Sequence, residues 1–306
     1  MKKSTKIKHK SPIMVVIGII LALYVIAFAI LIVWGFLTSV KAYQGTFNVF
    51  RHNEMKFPEG MPWEWEWKNY ATVVNSLVAT NYVWVDGVRQ KVRADIIDMM
   101  INTAFYTVGG ASVMTFVPCI VAYATSKTQF KFSKIFDAVI LIVMVIPIVG
   151  SYPSEIQLLN DLGIYDTWIG YYVTKAHCIS AYYLIFTALF RSVSYTYSEA
   201  AYIEGAGEYT VMLRVIMPLA RTIILTIFLI HFITIWNDYN TSLLYMPAHP
   251  SLAYGIFYLV FQGDAALAKV PVKMAGSFLL FTPILALFLC FRKALMQNLS
   301  MGGLKE

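Results

Sequence analysis

The sequence has little charge for its length, and this lack decides the class of protein. Charged residues make up 13% of the 306 residues, whereas hydrophobic residues make up 58%. A soluble globular protein carries about 25% charged residues, so an ordinary soluble enzyme is disfavoured. Intrinsic disorder is excluded as well, because it requires low hydrophobicity and high charge. The mean hydropathy of +0.63 indicates a chain whose surroundings are largely lipid.

Residues that would support catalysis or metal binding are also scarce. Cys119, Cys178 and Cys290 are widely spaced in apolar segments, so they indicate neither a disulfide framework nor a zinc cluster. The histidines show no HExxH pattern and no metal-ligand spacing. No glycine is followed by lysine, so the nucleotide-binding P-loop is missing, and there is no GxSxG nucleophile elbow. We therefore expect no catalytic residue, no metal site and no cofactor in this chain.

Long stretches without charge predict membrane-spanning helices, each of which needs about 20 residues. The stretch from Ser11 to Val40 is too long for the core of a signal peptide, so it predicts a retained first helix. The sequence as a whole predicts an all-α integral membrane protein with six transmembrane helices. The predicted spans are 13–37, 99–126, 138–154, about 170–190, about 222–244 and 274–291.

Some of these spans are interrupted. Pro147 and Pro153 lie at the end of the third span, and Lys175 and His177 lie toward the start of the fourth. Asp238 lies in the fifth, and an ionisable residue in a membrane segment is costly unless it faces a cavity or a partner. Asp238 is therefore a candidate for the path of a polar solute; a structural contact between helices, or a place at the outer interface, is the alternative. The other candidates for the path are Asn237, Tyr239, Asn240, Tyr182 and Tyr183.

The positions of the basic residues predict the orientation in the membrane. The net charge is +7, and the first ten residues contain five lysines immediately before the first span. With the N-terminus inside, nine further Lys and Arg fall on the inner side and three fall in the short outer loops, as expected for cytoplasmic loops. The long outer segment 41–98 holds seven more, but a loop of that length translocates largely whatever its charge. A nucleic-acid binder is disfavoured, because little surface is left for a basic groove. The predicted parts are a cytoplasmic N-terminus (1–12), a first helix (13–37), an extracellular loop (38–98), a five-helix core (99–291) and a cytoplasmic tail (292–306).

The predicted extracellular loop carries three tryptophans, Trp63, Trp65 and Trp67, separated by glutamates. Tryptophans concentrate where a membrane meets water, so the loop could lie at the level of the lipid headgroups. A docking surface for an external protein is the alternative. The spacing of the residues leaves both interpretations open.

The inner loop 191–221 has the pattern of a short helix, a turn and a second helix. Thr196 and Glu199 have the spacing of a capping box, which predicts that a helix starts there. Gly205 predicts a stop or a turn with positive φ. A second amphipathic stretch follows, and we expect Pro218 to close it before the fifth span. An ordinary amphipathic connector at the membrane surface is the alternative interpretation.

The same loop resembles the EAA loop of permease subunits in binding-protein-dependent ABC importers. Glu199-Ala200-Ala201 is followed after three residues by Gly205-Ala206, and Met217-Pro218 ends the pattern. Val215 and Met217 stand where the family has Ile and Leu, and Glu204 stands where Asp is common. The resemblance implies that the loop couples the permease to an ATPase through Glu199, Ala200, Ala201, Glu204, Gly205, Ala206 and Pro218.

Other elements extend the resemblance to carbohydrate permeases similar to the G subunit of the maltose system. They cover nearly the whole chain, and the likeness is weakest in 41–98. The matching elements are Trp67–Tyr70 (WxNY), Asn102-Thr103, Leu162–Thr167, Trp236–Tyr239 (WNDF or WNEF) and the GGxK ending Gly302–Lys305.

The resemblance implies a type I ABC importer permease fold and a set of partners. Such a chain pairs with a second permease subunit and with two ATPase subunits, which bind the ATP and Mg. An extracellular solute-binding protein delivers a sugar, and the complex lies in the plasma membrane of a bacterium with both permease termini cytoplasmic. The alternatives are a secondary transporter driven by an ion gradient and an ABC permease for a non-sugar solute.

Overall fold

The structure, a computed structural model, describes residues 12–42, 61–85, 88–128, 131–146, 150–261 and 267–299. The predictions for the basic N-terminus, for Pro147 and for the ending 302–305 lie outside these residues. The helices are α1 (Pro12–Ser39), α2 (Lys68–Ser76), α3 (Ile96–Lys127), α4 (Ser133–Val145), α5 (Tyr152–Asp161), α6 (Trp168–Lys175), α7 (Ala181–Ser192), α8 (Thr196–Ile203), α9 (Glu208–Trp236), α10 (Leu252–Phe261) and α11 (Val270–Leu299). The strands are β1 (Ala79–Val85) and β2 (Val88–Ala94).

The chain divides into two compact units, Met1–Ser76 with Gly263–Leu279 and Leu77–Gln262 with Leu280–Glu306. In the first unit, α1 is apolar on all sides, which is typical of a helix surrounded by lipid. The side-chain amide of Asn69 donates to the backbone oxygens of Ser39 (2.9 Å) and Lys41 (3.0 Å). The bond to Ser39 occupies a carbonyl that the end of α1 leaves unpaired. The Trp67–Tyr70 element therefore fixes the chain where α1 ends.

The second unit has its core where α3, α7 and α9 pack together. Ala122 and Ala220 are fully buried or nearly so, and small side chains of this kind let membrane helices approach closely. Phe186 and Phe190 on α7 are fully buried beside them. The strands β1 and β2 form an antiparallel hairpin in which Ala79 pairs with Ala94. The core around Ala122 and Phe186 supports the inner loop, whereas Met114 and Tyr245 pack against a second cluster that includes Tyr106 and Tyr171.

Four helices of the described chain are long and apolar enough to cross a membrane. They are α1, α3, α9 and α11. The first, second and sixth predicted spans are thereby confirmed as long apolar helices, with slightly wider bounds. The predicted extracellular loop 38–98 contains α2, the hairpin and the start of α3. A capping box formed by Asp95 and Asp98 begins α3 at Ile96.

The third predicted span is interrupted at its end, as its prolines predict, whereas the fourth is not one continuous helix. The helix of the third span, α4, ends at Val145, and α5 begins at Tyr152 with a proline in its first turn. In the fourth, α6 ends at Lys175 and α7 begins at Ala181. The hydroxyl of Ser180 accepts from the backbone N–H of Tyr183 and so starts α7 as a new helix.

The helix observed in the region of the fifth predicted span begins earlier and ends earlier than the sequence predicts. Helix α9 starts at Glu208 and ends at Trp236, with Asn237 as its C-cap. Asp238 therefore lies beyond the helix and not within it. A π-helical turn, Thr241–Tyr245, follows Asp238.

Candidate functional site

Helix α8 lies in the inner loop where the sequence predicts a helix, but it begins by a different contact. Its first residue is Thr196, and the N-cap residue Tyr195 makes no side-chain capping bond. The hydroxyl of Ser194 accepts from the backbone N–H of Thr196 at 3.3 Å instead. The predicted helix start is thus confirmed, whereas the capping box between Thr196 and Glu199 is not formed.

The turn after α8 is a Schellman motif centred on Gly205. The backbone N–H of Ala206 donates to the oxygen of Ala201 at 2.9 Å, and that of Gly205 donates to Tyr202 at 3.0 Å. This pattern requires a left-handed residue after the helix, and Gly205 has φ +83°. The predicted glycine turn is confirmed. The turn fixes the angle at which the chain leaves α8 toward α9.

The residues of this loop point to opposite sides. Ala201 and Ala206 pack against the core of the second unit. Glu199, Ala200 and Glu204 are exposed, and the side chain of Ile203 is 87% exposed. Helix α8 therefore presents a small apolar and acidic face outward while its other face is anchored to the core. Burial, with the nearby Glu208 carboxylate, raises the pKa of Tyr202, so its phenol stays neutral beside this core.

Pro218 does not separate two helices, contrary to the sequence-based expectation. The chain is helical from Glu208 through Trp236, with a π-helical stretch from Val211 to Ile216. Proline lacks the N–H that an α-helix would bond to the residue four positions earlier. A local change to π-helical bonding accommodates such a gap inside a membrane helix. The loop is consequently joined to the long helix α9 without a break.

A polar cavity of about 210 Å³ lies where two helix breaks meet. One break follows α6 at Lys175, and the other separates α9 from the π-helical turn at Asp238. The cavity is lined by Met114, Tyr152, Glu155, Thr174, Lys175, His177, Asp238, Asn240, Thr241 and Tyr245.

Asp238 is held in place by the π-helical turn that follows it. One carboxylate oxygen accepts from the backbone N–H of Asn240 at 2.9 Å and of Thr241 at 3.2 Å. The other accepts from the hydroxyl of Thr241 at 2.5 Å. These donors lie at the start of the π-helical turn, so the Asp238 carboxylate caps its N-terminus. Asp238 is therefore a fixed acceptor with part of its carboxylate facing the cavity.

Glu155 forms a second acceptor at the same cavity. Its carboxylate accepts from the hydroxyl of Tyr245 at 2.6 Å. Burial and this bond raise the pKa of Tyr245 above its usual value, so the phenol remains a donor. The rings of Tyr152 and Tyr245 meet edge to face with centroids 6.2 Å apart. The cavity thus combines fixed acceptors with aromatic surface, an arrangement suited to a small polar ligand.

The loop Leu162–Thr167 braces the cavity through hydrogen bonds to Leu244, in the π-helical turn, and to Ala248, after it. The hydroxyl of Tyr165 donates to the backbone oxygen of Leu244 at 2.9 Å. Both carboxylate oxygens of Asp166 accept from the backbone N–H of Ala248 at 3.1 Å. Asp166 has φ +56°, a left-handed conformation that Asp adopts more readily than most residues. This loop therefore holds the segment after the π-helical turn in place.

The other predicted path residues make different contacts. Asn237 donates back to Ile233 on its own helix at 2.8 Å, and Tyr239 stacks on Phe257 with ring centroids 4.7 Å apart. Tyr182 contacts the ring of His231. Tyr183 is fully buried, and its hydroxyl donates to Asp137. Among the described residues that were predicted for the path, Asp238 and Asn240 line the cavity.

Sequence reasoning did not find most of the cavity residues. Lys175 and His177 interrupt the apolar stretch of the fourth predicted span, and both lie at a helix break. Glu155 and Tyr245 carry no comparable signal, because each lies in an ordinary polar or aromatic context. Their partnership depends on contacts between residues distant in the chain.

Comparison with known proteins assigns the chain to a family. Residues 114–300 match the family described as binding-protein-dependent transport system inner membrane component. This stretch is more than half of the chain and contains both the inner loop with α8 and the cavity. The chain belongs to this family. It is a permease subunit of a binding-protein-dependent ABC transporter and a non-catalytic transport component, as the sequence predicts.

Two curated permeases illustrate the likeness. The chain is 25% identical over 215 residues to the melibiose/raffinose/stachyose import permease protein MelC of Bacillus subtilis, covering 70% of this chain and 78% of MelC. It is 24% identical over 247 residues to the trehalose transport system permease protein SugB of Mycobacterium tuberculosis, covering 78% of this chain and 88% of SugB. This permease is accordingly a multi-pass protein of the inner or cytoplasmic membrane.

A solved structure supports the fold of the permease. The match is to a chain of a bacterial ABC transporter involved in the import of the acidic polysaccharide alginate, with a TM-score of 0.66. The alignment covers 93% of this chain and 98% of that chain, at 21% sequence identity. The permease therefore has the fold of this transporter family over nearly its whole length.

Proposed function

We propose that this permease imports a sugar or oligosaccharide by alternating access, driven by ATP hydrolysis in partner subunits. The observation that carries the proposal is the inner loop with α8, which lies inside the family match and ends in a Schellman turn at Gly205. Sugar specificity is supported by relatives whose names specify melibiose, raffinose, stachyose and trehalose. A solute-binding protein outside the cell delivers the sugar, and a second permease subunit completes the pathway.

Helix α8 is the part of the chain that receives the force of ATP hydrolysis in this proposal. Its exposed face, with Glu199, Ala200 and Glu204, seats in a partner ATPase that binds ATP and Mg. Ala201 and Ala206 connect this face to the core, and α9 continues from the loop as one helix. Movement at the ATPase is thereby transmitted into a membrane helix, with Pro218 near the junction.

Six membrane crossings are part of the same proposal, with both termini in the cytoplasm of a bacterial cell. The long helices α1, α3, α9 and α11 supply four of them. The region of α4 supplies the third crossing, and the broken pair α6 and α7 supplies the fourth. Orientation with α8 inside agrees with the basic residues Lys127, Arg191 and Arg214 near the inner ends of helices.

The solute path passes the cavity between the helix breaks. Asp238 and Asn240 line this cavity and offer hydrogen bonds to hydroxyl groups. Asn237, Tyr239, Tyr182 and Tyr183 support the path through neighbouring contacts in this proposal. No observation on the described residues favours a non-sugar solute over a sugar, and membership of the ABC permease family disfavours a carrier driven by an ion gradient.

Purification of the tagged full-length chain from its own host tests the proposal. We expect a second permease and an ATPase to co-purify in mild detergent. We also expect the solute-binding protein that is encoded beside this chain to bind a saccharide in a ligand screen. Addition of that loaded binding protein is expected to stimulate ATP hydrolysis by the complex. A chain that purifies alone and transports solute without an ATPase would contradict the proposal.

A further inference from the structure

Lys175 is a charged residue of the cavity for which the described residues supply no hydrogen-bond or ion-pair partner. It is the last residue of α6, half-buried, and its side chain lines the cavity beside Thr174. Among the described residues its ammonium group makes no hydrogen bond and no ion pair, and its nitrogen lies 5.5 Å from the centre of the Tyr171 ring. An ammonium group carries three donors, and burying them without acceptors is costly. The group is therefore available to a ligand in the cavity.

The carboxylates around Lys175 are already partly occupied by protein donors. Asp238 accepts from Asn240 and Thr241, and Glu155 accepts from Tyr245. Each carboxylate has about four lone-pair sites, so both retain capacity for a further donor. The cavity consequently offers free donors at Lys175 and free acceptors at Asp238 and Glu155. A ligand that fits must present hydrogen-bond donors and acceptors on one small molecule or one ring.

The charges of the cavity do not favour an anion. Lys175 contributes one formal positive charge against the two formal negative charges of Glu155 and Asp238, so these three side chains carry a net charge of −1. A carboxylate entering the cavity would meet Lys175 together with two like charges, and like charges near each other are unfavourable. Hydroxyl groups both donate and accept, so they satisfy all three side chains without adding charge.

The size of the cavity limits the ligand. Sites for drug-sized ligands are about 300–1,000 Å³. The cavity of about 210 Å³ is smaller and corresponds to one ring of a saccharide. Its aromatic surface comes from Tyr152 and Tyr245, and Met114 adds an apolar contact. A sugar ring has an apolar face of C–H groups and an edge of hydroxyls. The face matches the aromatic and apolar lining of the cavity, and the edge matches its polar side chains.

We propose that the cavity binds one ring of a neutral saccharide, with Lys175 donating to ring hydroxyls and Asp238 and Glu155 accepting from them. The proposal rests on the proposed function and deepens it, because it assigns substrate contact to this permease rather than to its partner subunit alone. It also assigns the cavity to neutral sugars rather than to uronic acids.

Ligand-detected NMR on the assembled transporter tests the proposal. The probes are methyl α-D-galactopyranoside and the matched methyl galacturonide, added to the full complex in nanodiscs without the binding protein. The full complex is compared with complexes carrying Lys175→Met, Lys175→Arg or Lys91→Met in this chain. Lys91 is exposed on β2 and outside the cavity, so it controls for the loss of one positive charge.

The neutral probe is expected to bind the unaltered complex, and the uronate is expected to bind more weakly. Loss of a charged donor corresponds to a fall of about tenfold or more in affinity, which we expect for Lys175→Met. Lys175→Arg keeps a charged donor and is expected to retain part of the binding, whereas Lys91→Met leaves it unchanged. Size-exclusion chromatography confirms that each complex is assembled.

Three results would overturn the proposal. One is stronger binding of the uronate than of the neutral probe, which the unaltered complex reveals even if the Lys175→Met complex fails to assemble. Another is equal binding of the neutral probe by all variants. The third is no binding of either probe. Uptake of sugar driven by ATP in the same complex is measured separately, so the proposed function stands or falls independently of the cavity.

Discussion

At Gly170 the chain leaves no room for a side chain. A Cβ atom there would lie 2.0 Å from the backbone oxygen of Ile164, which belongs to the loop that braces the cavity. Because the obstacle is backbone, it does not yield by a change of rotamer. We expect Gly170→Ala to destabilise the protein by about 1–3 kcal/mol, as overpacking does. Thermal unfolding in detergent measures the effect.

Gly18 supplies the control for this substitution. A Cβ atom at Gly18 meets nothing within 4 Å, and the residue lies inside α1. Alanine is a better helix former than glycine, so Gly18→Ala is expected to leave the unfolding temperature unchanged or slightly raised. An equal loss of stability in both variants would contradict the contact at Ile164.

A second prediction at this scale concerns Asp137, which joins α4 to α7. Its carboxylate accepts from the hydroxyl of Tyr183 and from the guanidinium of Arg191, each at 2.5 Å. Asp137→Ala leaves the hydroxyl of the fully buried Tyr183 with Thr125 as its remaining partner. We expect a loss of about 1–3 kcal/mol in the free energy of unfolding, measured by thermal or denaturant unfolding.

Asp161→Ala is the matched control, because Asp161 is exposed and makes no hydrogen bond through its side chain to the described residues. It removes the same carboxylate without taking a hydrogen-bond partner from a buried hydroxyl. Unchanged stability in the Asp137→Ala variant would mean that the contact with Tyr183 does not hold α4 and α7 together.

Among the elements, the inner loop carries the proposed coupling. Gly205 has φ +83°, and a Cβ atom there meets nothing within 4 Å, so the obstacle to a side chain is conformational. A left-handed conformation costs an ordinary L-residue about 1–2 kcal/mol, of which aspartate bears only part, but aspartate also adds a negative charge next to the exposed Glu204 on the proposed docking face. We expect Gly205→Asp to turn α8 away from its seat and to abolish both uptake and transport-coupled ATP hydrolysis. Both are measured in membrane vesicles.

Gly207→Ala is the control, since Gly207 has φ −75° and a Cβ atom there also meets nothing within 4 Å. It is expected to transport normally. Western blotting of the membranes shows that the Gly205→Asp chain is still inserted. Normal transport by the Gly205→Asp variant would remove the loop from the coupling mechanism.

The elements also show what the sequence could predict and where it failed. Helix α8 and its turn were predictable, because Gly205 marks a local backbone requirement. The break between α6 and α7 was not, because apolar composition reports the surroundings of a segment and not the continuity of its hydrogen bonds. Lys175 and Asp238 signalled that something was unusual. Their meeting with Glu155 in one cavity depends on tertiary contacts that no local pattern contains.

For the whole molecule, the proposed topology makes a direct prediction. Val88 is 62% exposed on β2, and Tyr209 is 81% exposed beside α8. In a variant lacking Cys119, Cys178 and Cys290, a membrane-impermeant maleimide is expected to label Val88→Cys in intact cells. Tyr209→Cys is expected to react only after permeabilisation, because the positive-inside rule places it in the cytoplasm.

The reverse labelling pattern would contradict the orientation, and labelling of both sites in intact cells would contradict six crossings. The cysteine-free chain without either new cysteine is the control for background reaction. The six-crossing arrangement needs this test. Four of the described helices are long enough to span a membrane by themselves, and the other two proposed crossings consist of shorter helices.

Uptake by the reconstituted transporter tests the central claim most directly. The permease, its partner permease, the ATPases and the loaded solute-binding protein are assembled in proteoliposomes, and entry of a radiolabelled neutral oligosaccharide is followed. The account predicts uptake that requires ATP on the ATPase side and the binding protein on the other, and that persists when ionophores collapse ion gradients. Uptake that continues without ATP and stops with ionophores would contradict it.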